Sequence, residues 1–272
     1  MHERISIDSL CFMGASLPDL SRYWRELGAH RVSLVSTPLL QPGGEAAAQA
    51  ALASGDYALE TIPHPFMFGR HLEPREESWS EPRSTLSGLI RTAHKLGARS
   101  IYVVTGGHGT LTWEEAARVF SAAIAPCVQQ AREAGIALAL EDAPPLYADT
   151  HIAHTLRDTL TVAEMAGIGV CMDLFACWTE AGLHETIKRA MPRCPIIQVC
   201  DYVYGDRFVP SRAVPGDGAI PVKRILDWAL NAGYAGAFDL ELLGPRIEKE
   251  GHLAATRRAA DNVGKMLQSL GV

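Results

Sequence analysis

Eight short apolar runs, each followed by a stretch with helical patterning, leave this chain very few folds to choose from. Residues 5–12, 31–37, 58–63, 100–105, 137–141, 169–174, 196–200 and 237–242 have strand character. Helical patterning follows at 17–27, 45–53, 85–96, 113–134, 155–166, 180–190, 222–231 and 253–270. Dividing 272 residues by eight gives 34 per unit, a comfortable length for a strand, a crossover helix and two loops. Strict alternation calls for a parallel sheet, and eight repeats favour closing that sheet on itself as an α/β fold, a (β/α)8 barrel. Some boundaries carry their own punctuation. Ser16 stands where an N-cap would open the first helix, and Gly28, Gly97 and Gly135 stand where helices should stop. No linker or composition shift interrupts the series, so one barrel domain is expected over residues 1–272.

Four of the runs share a second property. ALALEDAP (137–144), GVCMDL (169–174), IIQVCD (196–201) and GAFDLELLGP (236–245) each place one oxygen-bearing group near the C-terminal end: Glu141, Asp173, Gln198 and Glu241. Side chains alternate across a strand, so residues two apart share a face. Glu141 shares its face with Ala139 and Ala137, Asp173 with Cys171 and Gly169, Gln198 with Ile196 and Cys200, and Glu241 with Asp239 and Ala237. The opposite faces are apolar throughout, as the helix-facing side of a barrel strand must be. All four oxygen groups are therefore expected to point inward at the C-terminal mouth, where barrel enzymes carry their sites. Three carboxylates aimed at one another repel and raise each other's pKa unless a cation lies between them. A divalent metal resolves that repulsion. An all-oxygen set of three acids and an amide suits Mg²⁺ or Mn²⁺ better than a zinc site rich in His and Cys. One strand-end acid alone would be read as a helix cap or an arginine partner; the expectation rests on four with matched parity.

Other residues are candidates for substrate contact. His64 ends the third strand and His108 follows the fourth, and an imidazole titrates near neutrality. Arg212, next to PGDG (215–218), could hold an anionic group in forked geometry. Trp178, with Phe66 and Phe68, could wall the pocket. GGHG (106–109) is too short for a dinucleotide fingerprint and reads as a turn.

The net charge of −6 and the absence of a basic run argue against a nucleic-acid or anionic-membrane surface. No apolar stretch approaches the roughly 20 residues of a membrane span. The opening MHERISIDSL carries charges where a signal peptide would need its apolar region. Six cysteines without a C-x-x-C pair read as reduced thiols of a cytoplasmic protein.

At these residues the chain resembles the xylose isomerase-like barrel superfamily, in its sugar phosphate isomerase/epimerase branch. That group includes inosose dehydratases, ketose 3-epimerases, hydroxypyruvate isomerases and 3-dehydroshikimate dehydratases. The likeness runs through residues 28–32, GARSIYVVTG (97–106) and LTWEEAA (111–117), then LALED, CMDLF, IIQVCD, VPGDG and GYAGAFDLELLG. It implies a divalent metal on Glu141, Asp173, Gln198 and Glu241: Mn²⁺, with Mg²⁺ or Co²⁺ as alternatives. Many relatives carry His where this chain has Gln198, and again where it has Ala176. The expected reaction is isomerisation or epimerisation of a sugar-like keto or polyol substrate. The metal would polarise the carbonyl, and Glu141 and Glu241 would remove and return a proton through an enediolate. Loss of a β-hydroxyl would instead give a lyase resembling 3-dehydroshikimate or inosose dehydratase. A barrel with reduced chemistry would serve as a ligand- or partner-binding subunit. The expected partner is a small molecule, with assembly into a homo-oligomer, dimer or tetramer, compatible with the family. An endonuclease of the same superfamily is disfavoured by the negative charge.

Overall fold

A computed structural model describes all 272 residues. Eight parallel strands close into a barrel: β1 (Ile5–Asp8), β2 (Arg31–Ser33), β3 (Ala58–His64), β4 (Ser100–Val103), β5 (Ala137–Glu141), β6 (Gly169–Asp173), β7 (Ile196–Val199) and β8 (Ala237–Leu240). Each strand pairs with the next in sequence, and β8 returns to pair with β1 through Ile5–Phe238, Ser6–Asp239 and Ile7–Leu240. Helices cross over between successive strands. The first, Leu17–Leu27, opens on Ser16, whose hydroxyl accepts from the Asp19 amide, and closes on Gly28 in the left-handed conformation.

Alternation divides the core into two layers. The outward faces of the strands, with residues such as Val170, Ile197 and Phe238, pack against the helices in one continuous apolar cluster. The inward faces contribute a second, small cluster of Tyr102, Ala139, Cys171, Ile196 and Ala237 inside the barrel. Four of those five are the residues that parity places below Glu141, Asp173, Gln198 and Glu241. Three of the four, Ala139, Cys171 and Ala237, are small and leave room at the mouth for larger polar side chains above.

Differences from the sequence expectation lie in the connections. The second strand stops at Ser33, and Ser36–Leu39 turns into a short helix. The helix expected from residue 85 begins at Ser80, because Pro82 falls in its first turn, where a missing N–H costs no hydrogen bond. The connection 201–221 is not wholly irregular: Asp201–Tyr202 pairs antiparallel with Arg212–Ala213. A further short helix, Pro245–Glu250, follows the last strand. All six cysteines are free and buried. No helix is long and apolar enough to cross a membrane.

Candidate active site

Glu141, Asp173 and Glu241 converge at the C-terminal mouth of the barrel, with ligand atoms within 4.8 Å of one another, a grouping that could hold a metal ion. They line one cavity of about 400 Å³ together with Arg212, His64 and Tyr102. Asp173 is 1% exposed and Glu241 5% exposed. Three acids this close demand positive charge, and Arg212 supplies one. Its Nη1 and Nη2 donate to the two oxygens of Asp173 at 3.0 and 2.8 Å, a forked pairing, while Nη2 also lies 3.0 Å from Glu241 Oε2. The guanidinium stands 5.0 Å from the centre of the Phe175 ring. With all three ionised, the carboxylates against one guanidinium would leave an excess of two negative charges, and the site resists that. Burial raises the Glu241 carboxyl to about 7, with Arg212 opposing and Asp173 and Asp239 adding to the rise. Burial, then the charges of Glu241 and Asp173, lifts Glu141 well above the usual carboxylate range.

Gln198 is fully buried beside this group. Its Nε2 donates to Glu241 Oε2 at 2.6 Å and to the Tyr102 hydroxyl at 3.0 Å, while its oxygen accepts from the Cys171 thiol at 3.2 Å. That orientation satisfies the chemistry, since a carboxylate can only accept. The amide nitrogen therefore faces Glu241, and the amide oxygen faces away from the acids.

Arg212 reaches the acids because of the connection that carries it. Asp201, fully buried, accepts four backbone N–H bonds: from Tyr202 (2.8 Å) and Ile220 (2.9 Å) on Oδ1, and from Gly216 (2.8 Å) and Gly218 (2.9 Å) on Oδ2. This one carboxylate clamps both ends of the 201–220 loop. PGDG makes the clamp feasible. Gly216 has φ +101°, and any Cβ on Gly218 would collide with the Tyr202 carbonyl and the Asp201 carboxylate. The strand pair so formed, with Arg212 N donating to Leu243 O at 3.0 Å, aims the guanidinium into the barrel.

His64 lines the cavity. Its Nδ1 lies 2.9 Å from the Ser36 hydroxyl, whereas its buried Nε2 has no protein partner. Burial lowers its pKa to about 4, so the ring is neutral at pH 7. His108 and Trp178 do not line the cavity. His108 is exposed, and Trp178 packs against Tyr202 and Tyr204 in the aromatic part of the 201–221 loop.

Three residues at the site were not singled out from the sequence. Tyr102 points inward from β4, and the parity rule applied to SIYVVT would have found it. Asp142, fully buried, accepts from the Asp173 amide at 2.7 Å and so fixes the backbone that presents Asp173. His151 accepts from the Thr105 amide at 3.0 Å on Nδ1, which leaves Nε2 to donate to the Glu141 carbonyl at 2.7 Å. Burial holds its pKa near 3. Nothing in the local pattern around His151 signals that role, because its partners lie 10 and 46 residues away.

A second cleft of about 460 Å³, at the start of β5 and β6, holds neither a carboxylate nor an imidazole.

Residues 22–266 match the family described as the xylose isomerase-like TIM barrel. No curated protein matches the sequence. Among solved structures, one from Sinorhizobium meliloti 1021 is 22% identical, with a TM-score of 0.81 over 98% of each chain. An IolI protein with a bound zinc atom is 16% identical, with a TM-score of 0.83 over 98% of this chain and 99% of that one. A D-psicose 3-epimerase from Clostridium cellulolyticum H10, solved with D-tagatose, is 16% identical, with a TM-score of 0.80 over 96% and 98%. At such identities the likeness shows a shared fold.

Proposed function

The chain belongs to the xylose isomerase-like TIM barrel family, and from that premise we propose that it is an isomerase or epimerase moving a proton beside the carbonyl of a sugar-like hydroxycarbonyl substrate. The observation that carries this reading is the convergence of Glu141, Asp173 and Glu241 around Arg212 at the floor of a single cavity. The neighbouring fold of D-psicose 3-epimerase agrees with it.

The residues fit a divalent cation. The donor set is rich in oxygen, the excess of two negative charges it carries when fully ionised matches one such ion, and no hydrogen bond in the site engages the Glu141 carboxylate. Glu141, Asp173 and Glu241 would hold it, with Gln198 beside them, and we propose Mn²⁺, with Mg²⁺ or Co²⁺ as alternatives. Once bound, the ion supplies Lewis acidity that makes a C–H next to a carbonyl easier to deprotonate. The IolI protein with its zinc atom supports a divalent metal in this fold.

The rest of the chemistry belongs to the side chains. Glu141 and Glu241 are the pair proposed to take and return the proton, from opposite sides of the bound substrate. Both carboxylates line the cavity in which the substrate would sit, so each is placed to exchange a proton with a carbon beside the carbonyl, the arrangement general acid–base catalysis requires. Arg212 holds Asp173 in place through its forked pair of hydrogen bonds. His64, neutral, lining the cavity and with its Nε2 unpartnered, is suited to bind a substrate hydroxyl. Gln198, whose amide nitrogen also donates to the Tyr102 hydroxyl, holds the Glu241 carboxylate from below.

The test is hydrogen exchange in D₂O with Mn²⁺-loaded enzyme and a panel of keto-sugars, followed by NMR. Deuterium uptake next to the carbonyl, lost in Glu141→Gln and Glu241→Gln, is the expected result. No uptake with any substrate of the panel would sink the proposal.

A further inference from the structure

Resting on the reading that the carbonyl end of the substrate lies among the carboxylates, we infer that the substrate also carries an apolar portion of aromatic-ring size. That portion sits against the β1–β3 side of the same cavity. The lining divides sharply between the two halves of the barrel. Every charged side chain on the cavity wall comes from β5 to β8 or from the connections at their C-terminal ends: Glu141, Asp142, Asp173, Arg212 and Glu241. The β1–β3 side contributes Leu10, Met13, Val35, Pro63, Pro65 and Phe68, with Thr37 and His64 as its only hydrogen-bonding side chains.

A bare polyol does not match that wall. Hydroxyls pressed against six apolar residues lose their water and gain few partners, which is unfavourable for each one. An apolar ring makes the opposite exchange. Met13 and Phe68 are 65% and 57% exposed, and they stand at the entrance on this side. They are part of a wider pattern. Eight large apolar side chains of the protein are exposed, and six of them (Met13, Leu40, Phe68, Leu146, Tyr204 and Phe208) lie in connections that leave the C-terminal ends of barrel strands. All six therefore lie at the end of the barrel that carries the cavity. The occupant is the far end of the substrate itself, because Met13 and Phe68 line the cavity that holds the carboxylates. A cavity of about 400 Å³ lies within the range that accommodates drug-sized ligands.

The experiment compares two α-hydroxyketones that differ only by a phenyl group, 1-hydroxybutan-2-one and 1-hydroxy-4-phenylbutan-2-one. Affinity is read by titration calorimetry on Mn²⁺-loaded enzyme, and exchange at C1 by NMR in D₂O. Burial of the ring predicts at least ~10-fold tighter binding of the phenyl compound. Met13→Ala with Phe68→Ala, both at exposed loop positions, should narrow that ratio. Equal affinities in the wild type, no binding of either compound, or an unchanged ratio in the double variant would each overturn the inference. So would a dimer in sedimentation that Phe68→Asp dissolves, since a second copy would then cover the rim. A phenyl preference without deuterium exchange leaves the inference standing and defeats the proton-transfer reading. Exchange with no phenyl preference does the reverse.

Discussion

Changing Asp201 to Asn alters one oxygen and should loosen the loop that presents Arg212. Asp201 Oδ1 accepts from Tyr202 and Ile220, and Oδ2 from Gly216 and Gly218. Asparagine keeps one acceptor and turns the other into a donor facing two backbone N–H groups. Two bonds to a charged acceptor are lost, at roughly 1.5 kcal/mol or more each, and two buried donors are left unpaired. The expected loss is about 3 kcal/mol, or a fall in Tm of roughly 6–10 °C for a protein of this size. Urea and thermal unfolding followed by circular dichroism would measure it. Activity should fall further than stability explains, because Arg212 pairs with this segment through the Asp201–Tyr202 and Arg212–Ala213 strands. Gly218→Ala strikes the same clamp, since its Cβ would meet the Tyr202 carbonyl and the Asp201 carboxylate. The two substitutions should therefore be non-additive, the double variant costing less than the sum. A loss under about 1 kcal/mol for Asp201→Asn, or strict additivity, would refute the clamp.

Other outcomes rest on the same geometry. Arg212→Met leaves Asp173 and Glu241 buried without their cation, so a loss of roughly 3–5 kcal/mol is expected in urea unfolding with chelator present. Added Mn²⁺ should recover part of that loss, and full stability of the variant in chelator would contradict the pairing. Glu141→Gln should cut bound Mn²⁺, read by elemental analysis after gel filtration, and lower exchange activity by about 10² or more. His64 has a folded pKa of about 4 against about 6.5 unfolded, so the unfolded chain takes up its proton first as pH falls. Its contribution to stability is therefore complete above pH 6.5 and is lost between 6.5 and 4, on the order of 3 kcal/mol in all. His64→Gln should flatten that part of the stability profile between about pH 7 and 4; an identical profile would show that the buried ring does not carry it.

Much of the fold was legible because it depends on local pattern. Period-two alternation placed Ala139, Cys171, Ile196 and Ala237 on one face, and those four lie inside the barrel with Tyr102. Helix ends at Ser16 and Gly28 were readable because a cap is a property of the few residues beside it. The 201–221 connection was less legible. Its strand pair joins residues about ten apart, and its clamp joins Asp201 to amides 15 to 19 residues away. His108 and Trp178 illustrate the opposite limit. Both come after strands, as site residues often do, yet a loop side chain can turn outward, and strand parity says nothing about which way it goes.

By itself the sequence determined a parallel eight-unit barrel and the inward direction of Glu141, Asp173, Gln198 and Glu241, since backbone stereochemistry makes both a matter of spacing. The tertiary structure decided what stands among those groups. Arg212 enters them from a loop, Gln198 turns its nitrogen to Glu241, and apolar side chains fill the facing wall. Those outcomes depend on which atoms meet across the barrel, where charge and hydrogen-bond balance are settled between residues far apart in the chain.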